Sequence, residues 1–221
     1  MTIVRLKTVA AAAALLATAS AAQANTALIT EGFESFDSLA SQGWVVLNDS
    51  SSLGLVTQGF FGGDDSLLTA QAGSTASFAA SSYNVAATGA TLSTWLITPT
   101  FSTATAVQVT FYAQADQVTP YFDQIAYGFS TGGTSAASFT LSAPTTVGGG
   151  WNLYTATLAA QGAGTVGRFA INYVGLADNA NYVGIDTLSV NAVPEPGTWA
   201  MFGCGLAALA GLARRRSIAA A

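Results

Sequence analysis

The chain is 221 residues long, 51% hydrophobic and only 8% charged, with a net charge of −5, one cysteine and no histidine. This length fits one domain with short additional segments, and the composition is too apolar for a disordered chain. With no histidine and Cys204 alone, a Ser-His-Asp triad, a Cys-His nucleophile, a His/Cys zinc site and an intrachain disulfide are excluded, so any chemistry must rest on carboxylates, hydroxyls, backbone groups and a bound hard cation.

The first segment, residues 1–24, reads as a secretory signal peptide and predicts a short signal helix handled by the Sec machinery. Arg5 and Lys7 form its charged start, and residues 8–19 are a run rich in Ala, Leu and Val. Ala22-Gln23-Ala24 is a small-x-small cleavage site, so Ala22 and Ala24 place the mature start at Asn25. No cysteine follows the apolar run, and lipid anchoring at this end is not expected.

Residues 25–192 form the body, and their periodicity is that of strands. Short runs lie at 27–33, 44–47, 76–78 and 95–98. Val107, Val109, Phe111 and Ala113 then alternate with Gln108, Thr110, Tyr112 and Gln114, the period of a half-buried strand. Further strands are predicted over 125–129, 151–158, 168–174, with Phe169, Ile171 and Tyr173 on one face, and 182–190. Glycine clusters at 62–63, 132–133 and 148–150 mark turns. About ten strands with turn-rich joints predict an all-β fold, a jelly-roll-like antiparallel β-sandwich. Between 25 and 193 Arg168 stands alone against ten carboxylates, a body charge near −9. Nucleic-acid binding needs several phosphate-facing cations and is excluded.

Residues 193–217 form a second address, followed by a short tail, 218–221. Pro194-Glu195-Pro196 is a rigid element. Residues 198–213 are sixteen uncharged, mostly apolar positions, and Arg214-Arg215-Arg216 closes them. As a helix the apolar stretch is roughly 24 Å long, short for a bilayer core of about 30 Å. It is still able to insert transiently in the inner membrane, with the arginines on the cytoplasmic side.

This tail resembles the PEP-CTERM sorting signal in all three of its parts: Pro194-Glu195-Pro196, the apolar stretch and the arginine cluster. The resemblance implies recognition by an exosortase, cleavage near the Pro-Glu-Pro element, and release of the protein or its transfer to the surface, in a Gram-negative bacterium that makes exopolysaccharide. The body is similar to choice-of-anchor J domains, relatives of cleaved adhesin domains. The similarity is carried in order by Phe33-Glu34-Ser35-Phe36 with Gly43-Trp44, Gln58-Gly59, Ser82-Tyr83-Asn84-Val85, Leu92-Ser93-Thr94-Trp95-Leu96-Ile97-Thr98-Pro99, Tyr121-Phe122-Asp123-Gln124-Ile125, Phe129-Ser130-Thr131-Gly132-Gly133 and residues 181–190. It implies an adhesin-like jelly roll and does not imply an enzymatic activity. The closing strand departs from the family pattern: relatives commonly carry two adjacent Asp where this chain has Asp186-Thr187.

Asp186 is the most informative polar residue. Strand periodicity puts it on one face with Leu188 and Val190, so a core carboxylate would need a partner. Glu34 lies at the end of the opening strand, and first and last strands are often neighbours. Glu34 and Asp186 are therefore candidate ligands of one shared Ca²⁺, the one candidate cofactor; the alternative, which carries more weight, is a carboxylate that accepts backbone N–H groups. Asp64-Asp65 and Asp178 read as turns, Asp123 as a loop cap, and Arg168 as an outward cation that bridges a nearby carboxylate. Trp44, Trp95 and Trp151 read as core aromatics, with Phe60-Phe61 and Tyr121-Phe122 as loop aromatics open to sugar stacking. The function expected is an exported, structural or adhesive surface or matrix protein, not an enzyme. The alternatives are a carbohydrate-binding module for exopolysaccharide and, further off, a glycoside hydrolase, which would need two carboxylates in one cleft.

Overall fold

The computed structural model describes residues 26–193, together with Gly203 and Gly205, which are helical. The signal peptide lies outside the described residues, as does the sorting segment apart from those two glycines. Thr26–Val193 is one compact unit.

Thirteen strands follow in chain order: β1 (Thr26–Glu31), β2 (Val45–Asn48), β3 (Phe61–Gly62), β4 (Ala79–Ser82), β5 (Thr91–Ile97), β6 (Phe101–Ser102), β7 (Ala106–Ala115), β8 (Gln124–Ser130), β9 (Thr140–Leu141), β10 (Thr145–Thr146), β11 (Asn152–Leu158), β12 (Val166–Leu176) and β13 (Tyr182–Val193). One sheet runs β11-β7-β13-β4-β3 with β1 also beside β13. The other runs β10-β8-β12-β5-β2, with β6 on β12 and β9 on β8. Every pair is antiparallel. From β10 onward the chain crosses between the two sheets at each connection.

The core follows from period-2 patterning. On β7, Val107, Val109, Phe111, Ala113 and Ala115 are buried, and the intervening residues are half-buried. On β12, Phe169, Ile171 and Tyr173 face them. Phe111 sits at the centre, 5.3 Å from the stacked Tyr154 ring and 5.2 Å from the edge-on Tyr127 ring. Burying a side chain of this size stabilises by about 1.5–3 kcal/mol.

Two satellite clusters cover the outer faces. Leu68, Phe78, Ala80 and Tyr182, with Trp151, close over the first sheet. Trp95, Ile97 and Ala170, with Val45, Leu47, Phe139 and Leu141, close over the second. This double covering is why Trp95-Leu96-Ile97 and residues 169–171 read as unbroken apolar runs. Trp44 lies in the main core, edge-on to Phe33 at 5.6 Å. Trp44 and Trp95 are thus buried as expected, while Trp151 is half-buried and donates its indole N–H to the Thr69 carbonyl at 2.8 Å.

Several expectations are corrected. Residues 76–78 form a turn closed by Phe78 N–H on the Ala76 carbonyl, and the strand starts at Ala79. Phe36–Gln42 is a 3₁₀ segment that periodicity does not signal. Arg168 donates to the carbonyls of Thr98 (2.6 Å), Gly43 (3.2 Å) and Gly132 (3.3 Å), so it ties three loops together rather than bridging a carboxylate.

Candidate functional site

The two carboxylates singled out for calcium meet the same loop, by a route that periodicity does not give. β13 carries a bulge: Asp186 pairs with Tyr112, and the register then slips before Ser189 meets Thr110. Thr187 takes a left-handed backbone, φ 48°. Val183 and Ile185 before the bulge, and Leu188 and Val190 after it, all enter the core. Asp186 therefore does not share a face with Leu188 and Val190. It lies on the outer face with Tyr112, under the loop that precedes β4, and is fully buried there.

Asp186 Oδ2 accepts the N–H groups of Gln71 (2.8 Å) and Ala72 (3.1 Å), and Oδ1 accepts that of Thr187 (2.5 Å). Burial pushes its carboxyl above the ordinary range, against the opposing pull of those hydrogen bonds. Glu34 is not at a strand end, because β1 stops at Glu31 and Phe33 turns the chain at φ 55°. Exposed, Glu34 accepts the Ser74 hydroxyl at 3.0 Å. Gly73 completes the turn at φ 80°, a left-handed conformation that favours glycine, and the Glu34 carboxylate lies over the space a Cβ would take. The opening and closing strands are neighbours, with Glu31 opposite Leu188. Among the described residues no group of three or more Asp, Glu, Cys or His is placed to hold a metal ion.

A groove of about 750 Å³ lies elsewhere on the sandwich. One wall is the segment around Leu53, Gly54 and Leu55, tied along residues 84–87 by Gly54 N–H on the Val85 carbonyl (3.0 Å) and Val56 N–H on the Asn84 carbonyl (3.1 Å). The approach is so close that a Cβ on Gly54 would stand 2.2 Å from the Asn84 carbonyl oxygen. The other wall is the 3₁₀ turn Ala177–Asn179 with Tyr121. Asp178 accepts the Gly89 N–H at 2.8 Å, and Tyr83 N–H bonds the Asn181 carbonyl at 2.9 Å.

Behind this wall stands Asp123, 1% exposed, whose Oδ1 accepts the Tyr173 hydroxyl (2.5 Å) and the Asn181 N–H (2.9 Å). Burial raises its carboxyl above the usual range, and burial beside that carboxylate raises the Tyr173 hydroxyl well above its own. The frame is therefore fixed by backbone bonds, while its side chains face water: Leu55 is 94% exposed, Leu53 51%, Tyr83 50% and Tyr121 44%. Exposed apolar groups gathered in one concavity mark a contact surface.

Of the loop aromatics expected, Phe60 is fully buried and Phe61 is half-buried against Tyr182 at 6.2 Å, whereas Tyr121 and Phe122 are exposed. Leu53, Leu55 and Tyr83 were missed as site residues. Their signal is two leucines flanking a glycine in a serine-rich stretch, apolar groups where a loop needs none.

Residues 29–191 match the family model of the Cleaved Adhesin Domain. The chain belongs to this family. Residues 192–217 match the PEP-CTERM protein-sorting motif, a span that contains Pro194, Glu195, Pro196 and Arg214 to Arg216. Among solved structures, the chain is similar to three cleaved adhesin domains of Lys-gingipain, K3, K1 and K2, of which K3 and K1 are from Porphyromonas gingivalis W83. The K3 domain shares 16% identity at a TM-score of 0.55, covering 77% of this chain and 100% of that one. The K1 domain shares 18% at 0.55, covering 75% and 98%. The K2 domain shares 21% at 0.53, covering 75% and 99%. At these identities the likeness is one of fold. No curated protein matches the chain. A cleaved adhesin domain followed by a sorting motif indicates a secreted, cell-surface protein, and the adhesin match suggests a non-catalytic one.

Proposed function

We propose that this protein is exported after removal of residues 1–24, passes transiently through the inner membrane by its C-terminal apolar stretch, is processed by an exosortase at Pro194-Glu195-Pro196, and acts on the cell surface or in the matrix as an adhesive protein of the choice-of-anchor J kind. The groove of Leu53, Leu55, Tyr83 and Tyr121 is its contact site, and an uncharged stretch of exopolysaccharide is its ligand. The observation that carries this reading is the groove with exposed rings on a frame tied by backbone hydrogen bonds. Tyrosine faces stack on the C–H faces of a sugar ring, while Asn84, Thr88 and Asp178 border the groove with hydrogen-bonding groups. A body charge near −9 disfavours polyanions. Hydrolysis needs a carboxylate pair, and Asp178 is the single carboxylate lining the groove.

Titration of the exported protein with neutral exopolysaccharide tests the ligand. Tyr83→Ala and Tyr121→Ala are each expected to weaken binding about five- to tenfold, the loss of roughly 1–1.4 kcal/mol, and Gln108→Ala to leave it unchanged. Binding unaffected by either tyrosine contradicts the reading. For the sorting step, replacing Pro194 and Glu195 by Ala should leave an uncleaved, membrane-retained form, and equal release of variant and wild type would contradict it.

A calcium ion shared by Glu34 and Asp186 is a proposal of the same kind. It is supported by both carboxylates reaching the loop around Gly73. It is opposed by the three N–H groups that Asp186 already accepts. A melting temperature several degrees higher in millimolar calcium than in chelator supports the ion, and identical curves remove it.

A further inference from the structure

A sheet end offers unpaired N–H and C=O groups to any passing strand, and proteins blunt such ends with short strands, charges, prolines or bulges. Most ends of this sandwich are blunted by length: β3, β9 and β10 have two residues each and β2 has four. β11 differs. Its seven residues pair with β7 in unbroken register, from Asn152 opposite Ala113 to Leu158 opposite Val107, and among the described residues no strand lies on its other side. Its sequence, Asn-Leu-Tyr-Thr-Ala-Thr-Leu, contains no charge and no proline, and Leu153 is 56% exposed. Trp151, just before it, is turned back onto its own sheet by its bond to the Thr69 carbonyl, and the segments beyond are glycine-rich: Gly148-Gly149-Gly150 before it, and Gly162 and Gly164 after it, with open space around Gly150, Gly162 and Gly164.

Carboxylates are also sparse at this end, where Asp116, just past β7, is tied to Asn181. Residues 124–177 contain no carboxylate, and neither does β7, although the body as a whole is near −9. Two such bodies repel one another over most of their surface, and the β11–β7 corner is where a second copy can approach. The geometry points to a homodimer in which β11 pairs antiparallel with β11 of a second copy, about a two-fold axis at Thr155. The strand is self-complementary in that register. Thr155 meets its own copy, Leu153 meets Thr157 on the outer face, and Tyr154 meets Ala156 on the core face, so the two sheets become one. Two-fold pairing uses the same patch on both copies and closes on itself. It involves none of the groove residues and stands apart from ligand binding.

Sedimentation velocity of the exported protein at about 100 µM reads the dimer directly, a concentration that would fill even an interface with a Kd of about 10 µM. The charge-reversal pair then tests the register. Leu153→Lys with Thr157→Lys sets lysine against lysine across the axis and should weaken dimerisation at least tenfold, while Leu153→Lys with Thr157→Glu sets lysine against glutamate and should restore it. Both positions are exposed, so circular dichroism should show an unchanged fold. With Cys204→Ser as background, Thr155→Cys should give a disulfide-linked dimer on mild oxidation. Thr110→Cys, one strand inward and about 14 Å from its copy at three strand spacings, should give none. A wild type that stays monomeric at this concentration, a dimer that survives the double lysine variant, or a Thr155→Cys chain that fails to cross-link overturns the pairing.

Discussion

Asp123 and Asp186 are both buried carboxylates, and neither meets Arg168, the sole basic residue between 25 and 193. Both are held by neutral donors, yet they stabilise different things. Asp123 takes a buried tyrosine hydroxyl and the Asn181 N–H, and so fixes the wall of the groove. Asp186 takes three backbone N–H groups from a loop and a bulge, and so pins the cover of the outer face. In a chain this poor in cations, burying a carboxylate relies on converging N–H and O–H groups instead of an ion pair.

The largest separation of the two comes from deletion. Asp186→Ala leaves three backbone donors without a partner and should cost about 3 kcal/mol in urea unfolding, while Asp123→Ala, with fewer donors orphaned, should cost about 2 kcal/mol. The groove should register only the second. Asp123→Ala should weaken glycan binding, and Asp186→Ala should leave it intact as long as the protein is folded.

A smaller effect separates both residues from surface acids. Burial holds each carboxyl above the ordinary 3.8. Between 3.8 and the raised native value the folded state binds more protons than the unfolded one, so stability falls as pH rises through that window. The contribution is complete below the unfolded value and lost above the folded one. Asparagine does not titrate, so the stability deficit of Asp186→Asn against wild type should be larger at about pH 3 than at about pH 7. Equal deficits would mean that burial does not control the carboxyl. The smallest effect belongs to Thr187, a β-branched residue in a left-handed conformation. Asparagine tolerates that region better, and Thr187→Asn should raise stability by about 0.5 kcal/mol, less whatever the hydroxyl bond to Gln71 contributes.

The same two carboxylates mark how far the sequence could be read. β7 is legible because its alternation runs uninterrupted, and β12 because Phe169, Ile171 and Tyr173 keep the period of two through its apolar run, so the inward faces of both match the expected ones. β13 was legible as a strand but not in its faces. A single left-handed residue inverts the parity after Asp186, and threonine gives no local sign of it. Nothing in Phe33 signals a turn, so the sequence alone puts Glu34 at a strand end. Phe60 looked like a loop aromatic and is fully buried, since segments without periodicity still supply core side chains. The groove was only partly legible. Tyr121 and Phe122 stood out as loop aromatics, but the wall that faces them joins residues about 30 positions apart through the bridge between Leu53 and Ala86, a long-range pairing with no spacing to betray it.

The central claim is that this domain adheres to extracellular glycan through Tyr83 and Tyr121. Its most direct test is the distribution of the protein in a matrix-producing host, measured by immunoblot of the matrix and the cell-free medium. Wild type should remain with the matrix, and the Tyr83→Ala/Tyr121→Ala double variant, exported and processed to the same extent, should shift to the medium. If the double variant stays with the matrix as fully as wild type, the groove is not the adhesive site.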